Sequence, residues 1–170
     1  MAGGTDRGVS RRMAQRERFT TTADDCTFCR IVRREVDAQI VYEDETTLTF
    51  LDHRPLLLGH CLTIPKMHVE TFGELPGELI ERYFSVVQKI AIAVERGLGA
   101  EGSFVAINNR ISQSVPHLHT HVVPRRKKDG LFSTGLIWKR KSYASVEESD
   151  SIRNAIIQAI ADMSQESNNP

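Results

Sequence analysis

Apolar and polar positions follow two different periods along this chain. Between Gln39 and Asp52, two extended segments, Ile40 to Tyr42 and Leu48 to Leu51, flank the polar Glu43 to Thr46, which is the pattern of a hairpin. Gly59 to Pro65 forms a third strand. Its apolar residues alternate, and Pro65, lacking a backbone donor, stops it. The period then lengthens. Leu79, Ile80, Tyr83, Phe84, Val87, Ile90, Ala91 and Val94 recur at three and four, so they share one face of a helix that starts at Pro76 and ends at Gly97 and Gly99. Phe104 to Ile107 and Leu118 to Val123 return to strand, joined by a short polar loop. Ile152, Ala155, Ile156, Ala159, Ile160 and Met163 mark a second amphipathic helix. Strands around one central helix, with a C-terminal helix, predict an α+β fold whose antiparallel sheet is covered on one side.

The apolar periodicity begins only after Asp25. Residues 1–25 hold five arginines and little apolar material, so they are expected to be a flexible N-terminal tail ahead of one domain over residues 26–165. The Arg-rich start resembles a transit peptide, but Asp6, Glu17, Asp24 and Asp25 weaken that likeness. No apolar run approaches the ~20 residues that span a bilayer, and the start lacks a secretory h-region, so the expected location is cytoplasmic. Lys plus Arg total 22 and Asp plus Glu total 22. That balance gives no overall pull towards nucleic acid or membrane, and any polyanion must be gripped locally. Three cysteines are too few for a disulfide framework and leave room for a metal site in a reducing compartment.

All six histidines lie between His53 and His121, and three alternate in PHLHTHVVPR. On a strand, His117, His119 and His121 project from one face while Leu118, Thr120 and Val122 project from the other. Three readings of that face are open. The imidazoles can be merely solvated; they can bind Zn or Fe; or one can attack phosphorus while its neighbours donate to phosphate oxygens.

The flanking residues add a resemblance. Asn108, then Gln113, Ser114 and the run His117 to Val123, resemble the motif of the histidine-triad (HIT) family. TFCRIV, VYEDE, FLD and GHCLTIPKMH look like the segments this family carries before its helix, so the resemblance spans Cys26 to Arg125. Two positions depart from it. Thr120 replaces an apolar residue, and Ser112 replaces the small Gly or Ala that usually precedes the Gln.

The resemblance implies a nucleotide hydrolase. His119 would attack the α-phosphorus to form a nucleotidyl-imidazole, which water resolves to a nucleoside monophosphate such as AMP. His121, Asn108, Gln113 and Ser114 would surround the phosphate, with His121 or Ser114 a proton donor to the leaving group. Asp52 matches the ribose-binding acid, and Phe28, Ile31 and Phe50 match the base-pocket walls; each of those three is equally readable as ordinary core. His53 stands where a wall residue is usual, which leaves the purine preference open. His60 is expected to lend a supporting hydrogen bond. Substrates of the class would be nucleoside phosphoramidates or dinucleoside polyphosphates. Leaving-group contacts would come from Gly130 to Tyr143, including Trp138.

Bacterial members with CxxC and PKxH hold a structural zinc, and the matching ligands here are Cys26, Cys29, His68 and His117. Cys61 reads as an inert buried thiol. Arg125 and Arg126, like Asp24 and Asp25, read as solvated surface. The resemblance further implies a homodimer joined through Leu79 to Leu98 and Phe104 to Ile107. Competing readings are a nucleotide-binding regulatory protein with incidental hydrolysis, and a metallohydrolase using the triad as ligands.

Overall fold

The computed structural model describes residues 23–132 and 140–168. Residues 1–22 of the expected tail and Trp138 in the expected leaving-group segment lie outside the described residues.

The hairpin forms as expected, with β1 (Ile40–Glu43) antiparallel to β2 (Thr47–Leu51) and a register shift between Ile40 and Tyr42. The turn between them is closed by Asp44, whose Oδ1 accepts from the backbone N–H of Thr46 and Thr47 at 2.9 and 2.8 Å. β3 (Cys61–Pro65) follows, then β4 (Gly102–Ile107) and β5 (Thr120–Arg125). All five pair antiparallel in the order β1-β2-β3-β5-β4, so β4 is an edge. β5 begins two residues later than Leu118, and the connection from β4 runs through 108–119, far longer than a short turn. His117 and His119 therefore precede the paired strand. Leu118 still bonds, through its N–H to Val69 O at 2.7 Å, and continues the alternation.

Among the described residues, three α-helices complete the fold: α1 (Thr27–Val32), α2 (Gly77–Leu98) and α3 (Val146–Asn168). Among the described residues, no helix is long and apolar enough to cross a membrane. α2 buries Tyr83, Val86, Val87, Ile90, Ala93 and Val94 on one stripe. They pack with Leu51, Cys61, Leu118 and Val122 from one sheet face and with Ile156 and Ala159 from α3. Two glycines set the end of α2. Gly99 takes the left-handed φ of 57°, where L side chains are strained, and a Cβ on Gly97 would sit 2.5 Å from Ala155 O of α3.

The opposite sheet face is covered as well, a departure from the one-sided sheet expected. α1 lays Phe28, Cys29 and Ile31 over Leu48, Phe50, Leu62 and Ile64. Leu56, Val123 and Leu131 form a second, smaller apolar patch on that face. Six residues are too few to display a helical period or to hold a helix unaided, and so α1 was not foreseen. Cys61 is fully buried, and burial pushes its thiol up, as an inert core cysteine requires.

Arg125 and Arg126 are not idle surface charges. Arg125 pairs with Asp129 and lies 4.6 Å above the Phe132 ring. Arg126 donates to the terminal carbonyls of α2 at Leu98 and Gly99, complementing the negative end of the helix dipole.

Candidate functional site

β5 and the residues just before it bring His117, His119 and His121 to one face, in register with Leu62, which pairs with His121. The three are buried, at 0 %, 2 % and 6 % exposure. That removes the reading of imidazoles simply solvated on an open sheet. On the other face Thr120 explains itself: the buried Tyr83 hydroxyl donates to Thr63 O at 2.7 Å and lies 2.8 Å from Thr120 Oγ1. A hydroxyl at position 120 satisfies a buried phenol, which an apolar residue would not.

The hydrogen bonds give each imidazole one tautomer, with His119 opposite to His117 and His121. His117 Nε2–H donates to Pro65 O at 2.8 Å, leaving a lone pair on Nδ1. His119 Nδ1–H donates to His117 O at 2.7 Å, leaving the lone pair on Nε2. His60 links the third. Leu56 N–H donates to His60 Nδ1 at 3.3 Å, so His60 carries its proton on Nε2 and donates to His121 Nδ1 at 3.0 Å. His121 then presents Nε2–H. Its neighbour at 3.4 Å is the Asn108 amide nitrogen, and two donors side by side are an arrangement that suits an oxyanion.

Burial is the chief cause that holds all of these groups neutral. It lowers His119, lowers His121 to about 3, lowers His117 to about 4, and takes His60 well below the ordinary imidazole range. A neutral imidazole with a free Nε2 lone pair is a nucleophile near neutral pH.

The other sequence-predicted residues divide. Phe28 stands edge-on to His119 at 5.3 Å, to His117 at 5.9 Å and to Phe50 at 5.4 Å, so it is both core and triad wall. Ile31 and Phe50 are buried in the same cluster. His53 points to solvent, 88 % exposed. Ser114 is exposed in the 108–119 connection. Gln113 fastens that connection: its Nε2 donates to Glu70 O at 2.6 Å and its Oε1 accepts from Arg110 N–H at 2.6 Å. Arg110 and Ser112 both take left-handed φ values, 67° and 60°, the region where glycine is unstrained and a Cβ is not, so a glycine at position 112 would fit this connection without that cost. Asp52 is buried, and Arg140, which the sequence reading did not single out within the Gly130 to Tyr143 segment it expected near the leaving group, meets it. Arg140 Nη1 donates to Asp52 Oδ2 at 2.7 Å.

Beside the triad, the ligand atoms of Cys26, Cys29, His68 and His117 all lie within 4.8 Å of one another. Cys26 Sγ is 3.4 Å from His117 Nδ1, and Cys29 Sγ is 3.3 Å from His68 Nδ1 and 3.6 Å from His117 Nδ1. A tetrahedral zinc with its usual bond lengths sets sulfur and nitrogen about 3.5 Å apart, so this donor set fits the ion. The Pro65 carbonyl supplies the outer hydrogen bond that orients a ligating imidazole. Burial, and after it the neighbouring Cys26, pushes the Cys29 thiol up to about 12, so a thiolate at Cys29 requires a nearby cation. Among the described residues this tetrad uses His117 but neither His119 nor His121, which sets it apart from a catalytic metal held by the triad.

A mixed sheet-and-helix fold with three tautomer-locked histidines and a Cys2His2 tetrad defines a class. Residues 33–128 match the HIT domain, and the chain belongs to the HIT family. It is 40 % identical over 119 residues to Protein hit of Bacillus subtilis, covering 69 % of this chain and 81 % of that one. It is 35 % identical over 117 residues to the Adenylylsulfatase HINT3 of Arabidopsis thaliana, covering 68 % of this chain and 59 % of that one. A Zn-bound histidine triad family protein from Mycobacterium smegmatis superposes with a TM-score of 0.73 at 34 % identity, covering 85 % of this chain and 99 % of that chain.

Proposed function

We propose that this chain is a nucleotidyl hydrolase that works through His119. The observation that carries the reading is the His119 Nδ1–H bond to His117 O, which leaves Nε2 as a lone pair on a neutral, buried ring. Nε2 attacks the α-phosphorus; the P–N bond forms as the bond to the leaving group breaks. His121 Nε2–H and the Asn108 amide donate to the phosphate oxygens, where negative charge grows. His121 or Ser114 passes a proton to the leaving group. Water then attacks phosphorus, the P–N bond breaks, and a nucleoside monophosphate such as AMP departs. Asp52 accepts from the ribose hydroxyls, and Phe28 walls the base. That the plant relative is an adenylylsulfatase supports hydrolysis at an adenylyl group.

Zinc on Cys26, Cys29, His68 and His117 is structural: all four positions go to protein ligands, and bound there it joins α1 to the triad. A homodimer through α2 and the edge strand β4 is supported by exposed Val105 and Ile92 on those elements. Cytoplasmic residence suits two reduced thiols.

Turnover of adenosine 5′-phosphoramidate, diadenosine polyphosphates and adenosine 5′-phosphosulfate by the full chain tests the proposal. Release of AMP from at least one class is expected. AMP binding without turnover of any would replace the enzyme with a regulatory nucleotide-binding protein.

A further inference from the structure

Asp52 is gripped on both oxygens by the protein itself. Oδ1 accepts from Arg54 N–H at 2.9 Å and Oδ2 from Arg140 Nη1 at 2.7 Å, and the carboxylate is only 7 % exposed. Arg140 is held in turn. The same Nη1 donates to Arg54 O at 2.9 Å, and Lys141 N–H donates to Pro55 O at 2.7 Å. Residues leading into α3 are thus pinned at three points to the turn that carries Asp52.

His60 Nδ1 also lies 3.3 Å from Asp52 Oδ2, but it accepts the Leu56 N–H and has no proton to give. Each carboxylate oxygen has two lone-pair sites. One protein bond apiece leaves one apiece. Two remaining acceptor sites, on a carboxylate held by Arg54 and Arg140, are the number that the two hydroxyls of a ribose cis-diol require. Without Arg140 the Oδ1 bond alone remains, and the carboxylate can turn about it.

We infer that Arg140 is a positioning residue that sets the ribose selectivity of this site by fixing Asp52 to receive both hydroxyls of a ribonucleotide. This rests on the reading of Asp52 as the ribose acid. The cation also offsets the carboxylate's charge close to where substrate phosphates arrive. Its field adds to burial in keeping His60, His119 and His121 neutral.

The test is calorimetric binding of AMP and 2′-deoxy-AMP to the full chain, to Arg140→Gln and to Arg140→Lys. A hydrogen bond to a charged group corresponds to roughly tenfold in affinity, so the wild type should prefer AMP by about that factor. In Arg140→Gln the preference should shrink to within about threefold, mostly through weaker AMP binding, and Arg140→Lys should recover part of it. An unchanged preference in Arg140→Gln overturns the inference. So does an equal loss for both nucleotides, which marks a merely structural residue, or tighter AMP binding, which marks Arg140 as a plug over Asp52. A wild type that binds neither nucleotide overturns the nucleotide reading itself.

Discussion

Replacing Cys29 by Ser should unpin α1, and the size of the effect follows from the chain lengths that zinc would close. Cys29 lies 39 residues from His68 and 88 from His117. Closing loops of that length restricts the unfolded chain by on the order of 4–5 kcal/mol for a single cross-link. α1 has little else to hold it: six residues, with no side-chain cap on Cys26 as N-cap. What remains is the burial of Phe28 and Ile31 against Leu48, Phe50, Leu62 and Ile64. Losing a cross-link of about 4 kcal/mol in a domain of this length lowers Tm by about 8–16 °C. Elemental analysis and differential scanning calorimetry on protein purified without chelator measure both quantities. The wild type should carry one zinc per chain, and Cys29→Ser should lose it together with the stability. Activity in the cold should fall less steeply than in His119→Ala, because the nucleophile remains. A zinc-free wild type, or a Cys29→Ser variant that keeps its metal and its Tm, would refute the reasoning.

Three other perturbations address the frame around the site. Gly97→Ala gains about 1 kcal/mol of helix propensity but drives a Cβ into the Ala155 backbone, which costs about 1–3 kcal/mol, so calorimetry should show a lower Tm; a higher one contradicts the close packing of α2 on α3. Tyr83→Phe strands the Thr63 carbonyl and the Thr120 hydroxyl in the core and should cost about 1–3 kcal/mol in urea unfolding, with no loss at all arguing against the buried network. Acid should act in a set direction. Because His119 and His121 are depressed in the fold, below the ordinary imidazole pKa of about 6.5 the unfolded chain binds more protons, and stability falls as pH drops towards the folded value of about 3 for His121. The acid limb of kcat/KM should correspondingly inflect below pH 6.5, and an inflection above it contradicts a neutral, buried nucleophile.

How much of this was legible depended on how local each signal was. Period-two and period-3.6 patterns marked the five strands and both long helices, because each pattern repeats within a few residues of itself. The alternating histidines were readable for the same reason, although His117 and His119 fall ahead of the paired strand. α1 was too short to repeat. The tetrad of Cys26, Cys29, His68 and His117 came from resemblance rather than from spacing, and the structure brings its ligand atoms together. Gln113 was expected around phosphate from its motif, and the structure adds that its amide ties down the 108–119 connection. The Arg140–Asp52 pair left no local trace, since 88 residues separate its members. Arg126 follows β5 and stands 28 residues beyond Leu98 at the end of α2, so only the fold shows which carbonyls it meets.

The central claim is covalent chemistry at His119, and it can be seen directly. The full chain would be mixed with an adenosine 5′-phosphoramidate, quenched within the first turnover, digested under mildly alkaline conditions that preserve phosphoramidates, and mapped by tandem mass spectrometry. The account predicts one adenylyl group on the peptide holding His117, His119 and His121, localised to His119, and absent from His119→Ala, which still binds AMP. An adenylyl group on His117 or His121 with His119 unmodified, or turnover by His119→Ala within about tenfold of wild type, would contradict it.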